Sequence, residues 1–389
     1  MASAIAGEFF LSGRQDTVIA EAPTSTRISE FIDRNSGRLM VLPAVIVLLA
    51  FAIFPLIISA YLALSRFALA PGGFKLTFIG WLNFKKLLVG SQQYHLLGSL
   101  KPLSVLDWLL FGICALLCLF WLGRSIKAHR SPIGAVGRLI SAAAAVFLVF
   151  LILATIGSGG VPGTLVTTFL YVLIGVAIQF LLGLGLALIC AQPIRARNWF
   201  RVLFFIPLIV TPVGIAYVFR MLADMQKGPF APITRALGLG EWAWSAEPWS
   251  ARFMVIVGDT WQWTPFVFIV LLAAVENQPR DQVEAARIDG AGGWQIFRDI
   301  TWPAIAPIGA TVVLIRLIEA FKIIDLPNVL TAGGPGLSTE SMTLHSFIAW
   351  RTQDLGGSAA IGYILLFAST ITCVSFFNYV VTRARRHQA

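Results

Sequence analysis

Four charged side chains interrupt an apolar run near the end of the chain: Arg316, Glu319, Lys322 and Asp325, each three residues from the next. On a helix that spacing brings neighbours within ion-pair reach along a slowly drifting stripe. Charges at membrane depth cost about 2.5–3.5 kcal/mol each on insertion scales, so they must face protein or water. Two readings stand level: a water-lined path, or structural pairs that neutralise one another. Asp325 lies nearest the end of the run and is expected to reach solvent. Groups for covalent or hydrolytic chemistry are missing. The chain has no GxxxxGK[ST] phosphate cradle, no HExxH and no GxSxG, and His95, His129, His345 and His387 fall in separate segments. Catalysis within this polypeptide is not expected, and neither is a metal site or a bound cofactor.

The elements that hold these charges are membrane helices. Of 389 residues 57% are hydrophobic and only 12% charged, which is too apolar for a water-facing globule. Apolar runs near 20 residues recur, the length that crosses a hydrocarbon core of about 30 Å. Short alternating barrel strands are absent, so the fold class is an all-α polytopic membrane protein. The net charge of +10 gathers in short segments between spans, a positive-inside pattern that does not point to nucleic acid. Cys114, Cys118, Cys190 and Cys373 sit in apolar segments without CxxC spacing and read as packing residues.

Taken in order, residues 1–37 form a polar tail in which Ile28, Phe31 and Ile32 have the spacing of a short interfacial helix, a disordered tail being the alternative. Residues 38–389 form the transmembrane domain. About eight spans are expected: 39–65, 106–122, 139–156, 165–190, 202–222, 253–274, 304–326 and 359–381. Basic loops at Arg34 and Arg38, Arg124 to Arg138, Arg195 to Arg201, and Arg383 to Arg386 place both termini in the cytoplasm. Lys75, Lys85, Lys86 and Lys101 are out of keeping with an outside segment after the first span. Pro207 and Pro212 should kink or open their span. Gly183 and Gly185 suit close helix packing. Trp242, Trp244 and Trp249 fit an aromatic belt.

Between the spans lies a polar, helix-prone island at 276–303. Its centre reads Asp281-Gln-Val-Glu284-Ala285-Ala286-Arg-Ile-Asp289-Gly290. A short helix over 283–288 with two small alanines would allow close approach, and Gly290 would end it by adopting a left-handed conformation. A second helix over 293–301 would complete a compact knob on which something docks. These residues resemble the EAA loop of the permease subunits of bacterial binding-protein-dependent ABC importers. Glu284, Ala285, Ala286, Gly290, Ile300 and Pro303 fall at the family's spacings, with Trp302 where leucine is usual. The Ile288-Asp289-Gly290-Ala291 wording is most similar to the carbohydrate-uptake branch, the maltose and glycerol-3-phosphate importers. Phe78-Ile-Gly-Trp-Leu-Asn83-Phe84 and the Gly333-Gly334-Pro335 turn resemble two further stretches of that branch.

The resemblance implies a six-helix permease core, to which 104–158 adds an inserted helical hairpin. It implies ATPase coupling through Glu284, Ala285, Ala286, Asp289 and Gly290, with ATP and Mg held by a partner ATPase. The implied partners are a second, homologous permease, two ATPase copies, an extracytoplasmic solute-binding protein and membrane lipid, in a bacterial inner membrane. Sugars need aromatic faces for C–H surfaces and amide or hydroxyl groups for OH groups. Asp259, Trp261, Gln262, Trp263, Thr264 and Phe266 offer such a set, with Thr211 and Tyr217 able to face it and Glu319 and Lys322 further along the path. Interfacial anchoring is the alternative for the tryptophans. A permease for another solute, or an ion-driven transporter using Glu319 or Asp325, are the competing functions.

Overall fold

A computed structural model describes residues 24–128, 132–192, 197–224, 227–238 and 244–388. The structure divides into two units, residues 1–58 and 59–389. Helix α1 (Thr24–Leu48) belongs to the first unit; it passes through a π-turn at Leu49–Ile53 into α2 (Phe54–Ala63). Within this stretch Asn35–Ala63 is long and apolar enough to span a membrane. The interfacial helix expected around Ile28 lies inside α1 as backbone, and its side chains, like residues 1–23, lie outside the described residues.

After α2 the chain makes an antiparallel hairpin, β1 (Ser65–Ala70) and β2 (Gly73–Phe78), turned by Gly72 and Gly73 at positive φ. Among the described residues these two strands form the one sheet of an otherwise helical chain. Helices α3 (Leu82–Leu88) and α4 (Gln93–Leu97) follow. Asn83 is buried and its amide donates to the carbonyls of Ala63 and Ser65, both at 2.9 Å, which fixes the exit from α2. Lys101, one of the unexpected lysines, donates to the Gly159 carbonyl at 2.7 Å.

The stretch 104–158 contains α5 (Val105–Ala128) and α6 (Pro132–Ile152), the latter extended by a π-turn to Gly157. Asp107 and Ser104 exchange hydrogen bonds at the start of α5, satisfying amide donors that an open helix end would orphan. Most of the α5 surface is apolar and exposed, as a lipid-facing helix requires. Helix α6 packs on the last helix through a 2.6 Å hydroxyl pair, Ser375 to Ser141.

The core is built from α7 (Thr164–Leu170), α8 (Val176–Cys190), α9 (Arg197–Ile209), α10 (Pro212–Leu222), α11 (Ala231–Ala236), α12 (Pro248–Glu276), α13 (Arg280–Ile288), α14 (Gly293–Ile296), α15 (Trp302–Ala320), α16 (Asp325–Thr331), α17 (Met342–Arg351) and α18 (Leu355–Gln388). A π-turn joins α7 to α8 and another joins α14 to α15. Among the described residues seven helices can span a membrane, or eight if α9 and α10 together count as one broken span. That pair bends by 101°. Pro207 stays inside α9, whereas Pro212 occupies the first turn of α10, where its missing N–H breaks no helical bond. Thr211 caps the new helix by accepting from the Gly214 amide.

Helix α12 is the central post. Its buried Val267, Phe268 and Leu271 join Ala187 and Cys190 of α8 and Val312 of α15 in one cluster. Cys190 is thus a packing residue. Trp244, expected in an interfacial belt, is instead buried with Tyr171, Ile215 and Val255, while Trp249 is half exposed beneath Arg252. Trp242 lies outside the described residues.

At Gly183 the α8 backbone closes onto α12 so tightly that a β-carbon would lie 2.6 Å from Val267 Cγ1 and 3.0 Å from the Phe268 nitrogen. Overpacking of this kind costs about 1–3 kcal/mol. Gly183→Val is expected to lower the thermal unfolding midpoint of detergent-purified protein. Gly185→Ala, with nothing within 4 Å of the added carbon, is expected to leave it unchanged.

Candidate functional site

The polar island folds as two short helices and a tight turn. Helix α13 ends with Gly290 at φ +82°, a left-handed position where any side chain would be strained. The Ala291 amide bonds back to the Ala286 carbonyl at 2.9 Å, closing the turn. Gln295 then reaches back to accept from the Gly292 amide at 2.8 Å, so α14 starts at a satisfied end. Asp281 in the first turn of α13 and Arg287 in the last complement the helix dipole. Two structured helices therefore project from the ends of α12 and α15.

The knob exposes what a soluble surface would hide. Ile288 is 87% and Trp294 71% accessible, and no residue of α13 is buried. Between α13 and the π-turn that leads into α15 an open groove of about 660 Å³ is lined by Gln282, Ala285, Ala286, Asp289, Asp299, Ile300, Pro303 and Ala304. The two alanines keep this groove open, because larger side chains there would fill it. Glu284 and Gly290 sit on the same helix and its turn but do not line the groove. Trp302 is anchored by edge contact with Phe180 and a tilted contact with Phe297, so the bulkier residue is absorbed where the knob meets α8. At this same end an ion pair joins Arg201 of α9 to Glu276, the last residue of α12.

A second polar cluster lies inside the bundle. Asp259 Oδ2 accepts from Gln179 Nε2 at 2.7 Å and from Arg316 Nη2 at 3.1 Å, and Arg316 Nε donates to Gln179 Oε1 at 2.8 Å. The guanidinium lies 4.3 Å from the centre of the Trp263 ring. Three helices, α8, α12 and α15, are joined by one closed set of bonds. This changes the expected ladder of charges: Arg316 pairs across the bundle with Asp259, and only Glu319 and Lys322 pair along the chain, at 2.7 Å. The physical reason is burial. Arg316 is 1% exposed, and a buried cation needs a buried anion, which the accessible Glu319 does not supply. Asp325 starts α16 beyond the span.

The remaining proposed path residues fall in different surroundings. Gln262 and Thr264 are buried on α12, and the Thr264 hydroxyl bonds back to the Thr260 carbonyl at 2.7 Å. Trp261 meets Phe219 of α10 edge-on. Thr211 and Tyr217 are exposed, Tyr217 by 59%, so they do not close a pocket with Gln262 in this chain. Glu319 and Lys322 also lie on accessible surface. Gln179, which completes the buried cluster, escaped sequence reasoning because a lone glutamine in an apolar run carries no spacing signal.

At the end of the bundle remote from the knob, the Gly-Gly-Pro turn is laced to the post. Arg252 Nε donates to the Ser338 carbonyl at 2.6 Å, and the Tyr171 hydroxyl donates to the Thr339 carbonyl at 3.0 Å. Thr339 Oγ1 donates to the Gly334 carbonyl at 2.9 Å.

Residues 181–387 match the family described as binding-protein-dependent transport system inner membrane component, and the chain belongs to that family. It is a transporter permease subunit and a multi-pass membrane protein. The relatives are more particular. The trehalose/maltose transport system permease protein MalF of Thermococcus litoralis is 33% identical over 201 residues, covering 51% of this chain and 68% of that one. The sn-glycerol-3-phosphate transport system permease protein UgpA of Salmonella typhi is 28% identical, covering 53% and 70%. In fold the chain is similar to a solved bacterial ABC transporter involved in import of the acidic polysaccharide alginate. The TM-score is 0.60 at 19% identity, covering 92% of this chain and 99% of that one. A second such structure, in complex with an alginate pentasaccharide-bound periplasmic protein, gives 0.56 at 17% identity over 90% and 96%.

Removing one member of a buried ion pair strands the other and costs about 3–5 kcal/mol, whereas replacing both with apolar groups is often near neutral. Asp259→Leu and Arg316→Met are each expected to lower the unfolding midpoint sharply. The Asp259→Leu/Arg316→Met pair should recover much of the loss in a double-mutant cycle read by thermal unfolding.

Proposed function

We propose that this chain is one membrane-spanning subunit of an ATP-driven importer that passes a sugar, glycoside or polyol into the cytoplasm by alternating access. The observation that carries the reading is the knob at 280–303, a folded and capped element whose apolar Ile288 and Trp294 face outward around an alanine-floored groove. Structured apolar surface of that kind marks a protein contact. Here its occupant is a cytoplasmic ATPase, two copies of which hold ATP and Mg. Glu284, Ala285, Ala286, Asp289 and Gly290 form the coupling contact. Closure of the two ATPases would draw the knobs of paired permeases together and rock α12 and α15, to which the knob is fused.

The cargo class rests on the relatives, whose names refer to trehalose/maltose and to sn-glycerol-3-phosphate. An extracytoplasmic binding protein delivers the solute to the end carrying the Gly-Gly-Pro turn. A second, different permease covers the accessible face that includes Thr211, Tyr217, Glu319 and Lys322, and the path runs between the two subunits past Gln262, Trp263 and Thr264. Both termini lie in the cytoplasm, the same side as the knob. Helices α5 and α6 form the inserted hairpin at the lipid boundary.

The test is reconstitution of the assembly in vesicles with binding protein and candidate sugars. ATP hydrolysis is expected to rise when loaded binding protein is added, and uptake to persist after the proton gradient is collapsed. Gly290→Pro and Glu284→Lys should leave membrane insertion intact. Loss of a central contact costs about 2 kcal/mol or more, roughly a 30-fold weakening of ATPase docking. Uptake should fall accordingly, and unchanged uptake in both variants would refute the coupling role.

A further inference from the structure

Three residues far apart in sequence converge beside the Gly-Gly-Pro turn. His95 is on α4, Glu340 lies one residue before the Ser341 cap of α17, and His345 is in the first turns of α17. One ring nitrogen from each histidine and a carboxylate oxygen lie within 4.8 Å of one another. His95 Nε2 is 3.0 Å from Glu340 Oε2, and the imidazoles stack with centroids 3.6 Å apart. Glu340 is 1% and His345 4% exposed, while His95 is partly open to solvent, giving an entry route.

Packing alone does not account for this arrangement. Glu340 Oε1 is buried without a hydrogen-bond partner, so half of a buried carboxylate is uncompensated. Two imidazoles are pressed together beside it, one bonded to Glu340 and the other to Thr164. A cation held between them would satisfy all three. The supporting contacts also fit. The Thr164 hydroxyl lies 3.3 Å from His345 Nδ1; a proton placed on that nitrogen leaves the Nε2 lone pair free.

We propose that His95, Glu340 and His345 form a binding site for a divalent transition-metal ion of the zinc class, completed by a water or a hydroxyl. Two imidazoles and one carboxylate make a borderline N₂O donor set, which suits zinc, cobalt or nickel better than calcium or magnesium. Bond lengths of about 2.0–2.2 Å put ligand atoms about 3.4 Å apart in a tetrahedral site. The two rings, now 23° from parallel, tilt out of their stack to aim at a common centre. The ion clasps α4, in the segment after the hairpin, to the start of α17. Its role is structural, holding the bundle end remote from the knob.

The full-length chain, purified in detergent without a histidine tag and stripped with chelator, is titrated with Co²⁺ by visible absorption and with Zn²⁺ by calorimetry. One ion per chain is expected, with the d–d bands of a low-coordinate nitrogen and oxygen site, and Zn²⁺ should raise the unfolding midpoint. His95→Gln and Glu340→Gln are each expected to weaken binding by about 100-fold or more. Thr164→Val should weaken it by about 10–100-fold, as loss of an orienting partner does. His95 is partly exposed, so His95→Gln decides the matter should variants at the buried Glu340 or His345 misfold. Stripped wild-type protein that binds no more Co²⁺ than His95→Gln would overturn the proposal, as would a Co²⁺ spectrum of six oxygen ligands.

Discussion

The buried set of Asp259, Gln179 and Arg316 constrains everything around it. In hydrocarbon an uncompensated charge is expensive, and here the compensation comes from three separate helices. Rotating or sliding α15 by one residue against α12 would pull Arg316 from its acceptor, so these bonds set the register of the core. Trp263 covers the guanidinium from the side. Away from the close approach at Gly183, the apolar contacts are more permissive, since Leu, Val and Phe on neighbouring helices carry no directional bonds.

Fixing that register lets the two ends of the bundle act as one body. The knob is continuous with α12 and α15, and the Gly-Gly-Pro turn is bonded to α12 and to Tyr171. The two ends are linked by a 29-residue helix, α12, that carries the buried Asp259 part-way along it. The Gln295 bond to Gly292 and the Ala291 bond to Ala286 close the turn between α13 and α14.

Much of the fold was readable because membrane helices announce themselves through length and apolarity; most of the expected spans lie on helices, while 304–326 leaves its helix at Ala320 and 202–222 breaks at Val210 and Thr211. The knob was readable from Ala285, Ala286 and Gly290, whose small size and left-handed turn make sense only in a tight helical corner. The Arg316 partner was not. Spacing along one helix favours Glu319, whereas Asp259 lies 57 residues away and only packing brings it near. The β-hairpin escaped notice although Phe74 to Phe78 alternates apolar and polar residues after the Gly72-Gly73 turn, because the long apolar runs on either side drew the reading toward helices. Trp244 misled for a similar reason: tryptophan belongs equally to interface belts and to cores, and sequence does not distinguish them.

The break between α9 and α10 carries a further implication. Turning by 101° at Val210 and Thr211 leaves carbonyls at the end of α9 and amides at the start of α10 without helical partners, and the Thr211 hydroxyl answers only one of them. Acyl chains can neither donate nor accept, so lipid cannot be the medium around that corner. Water or another polypeptide must satisfy those groups, so this elbow is a surface that lipid alone does not cover.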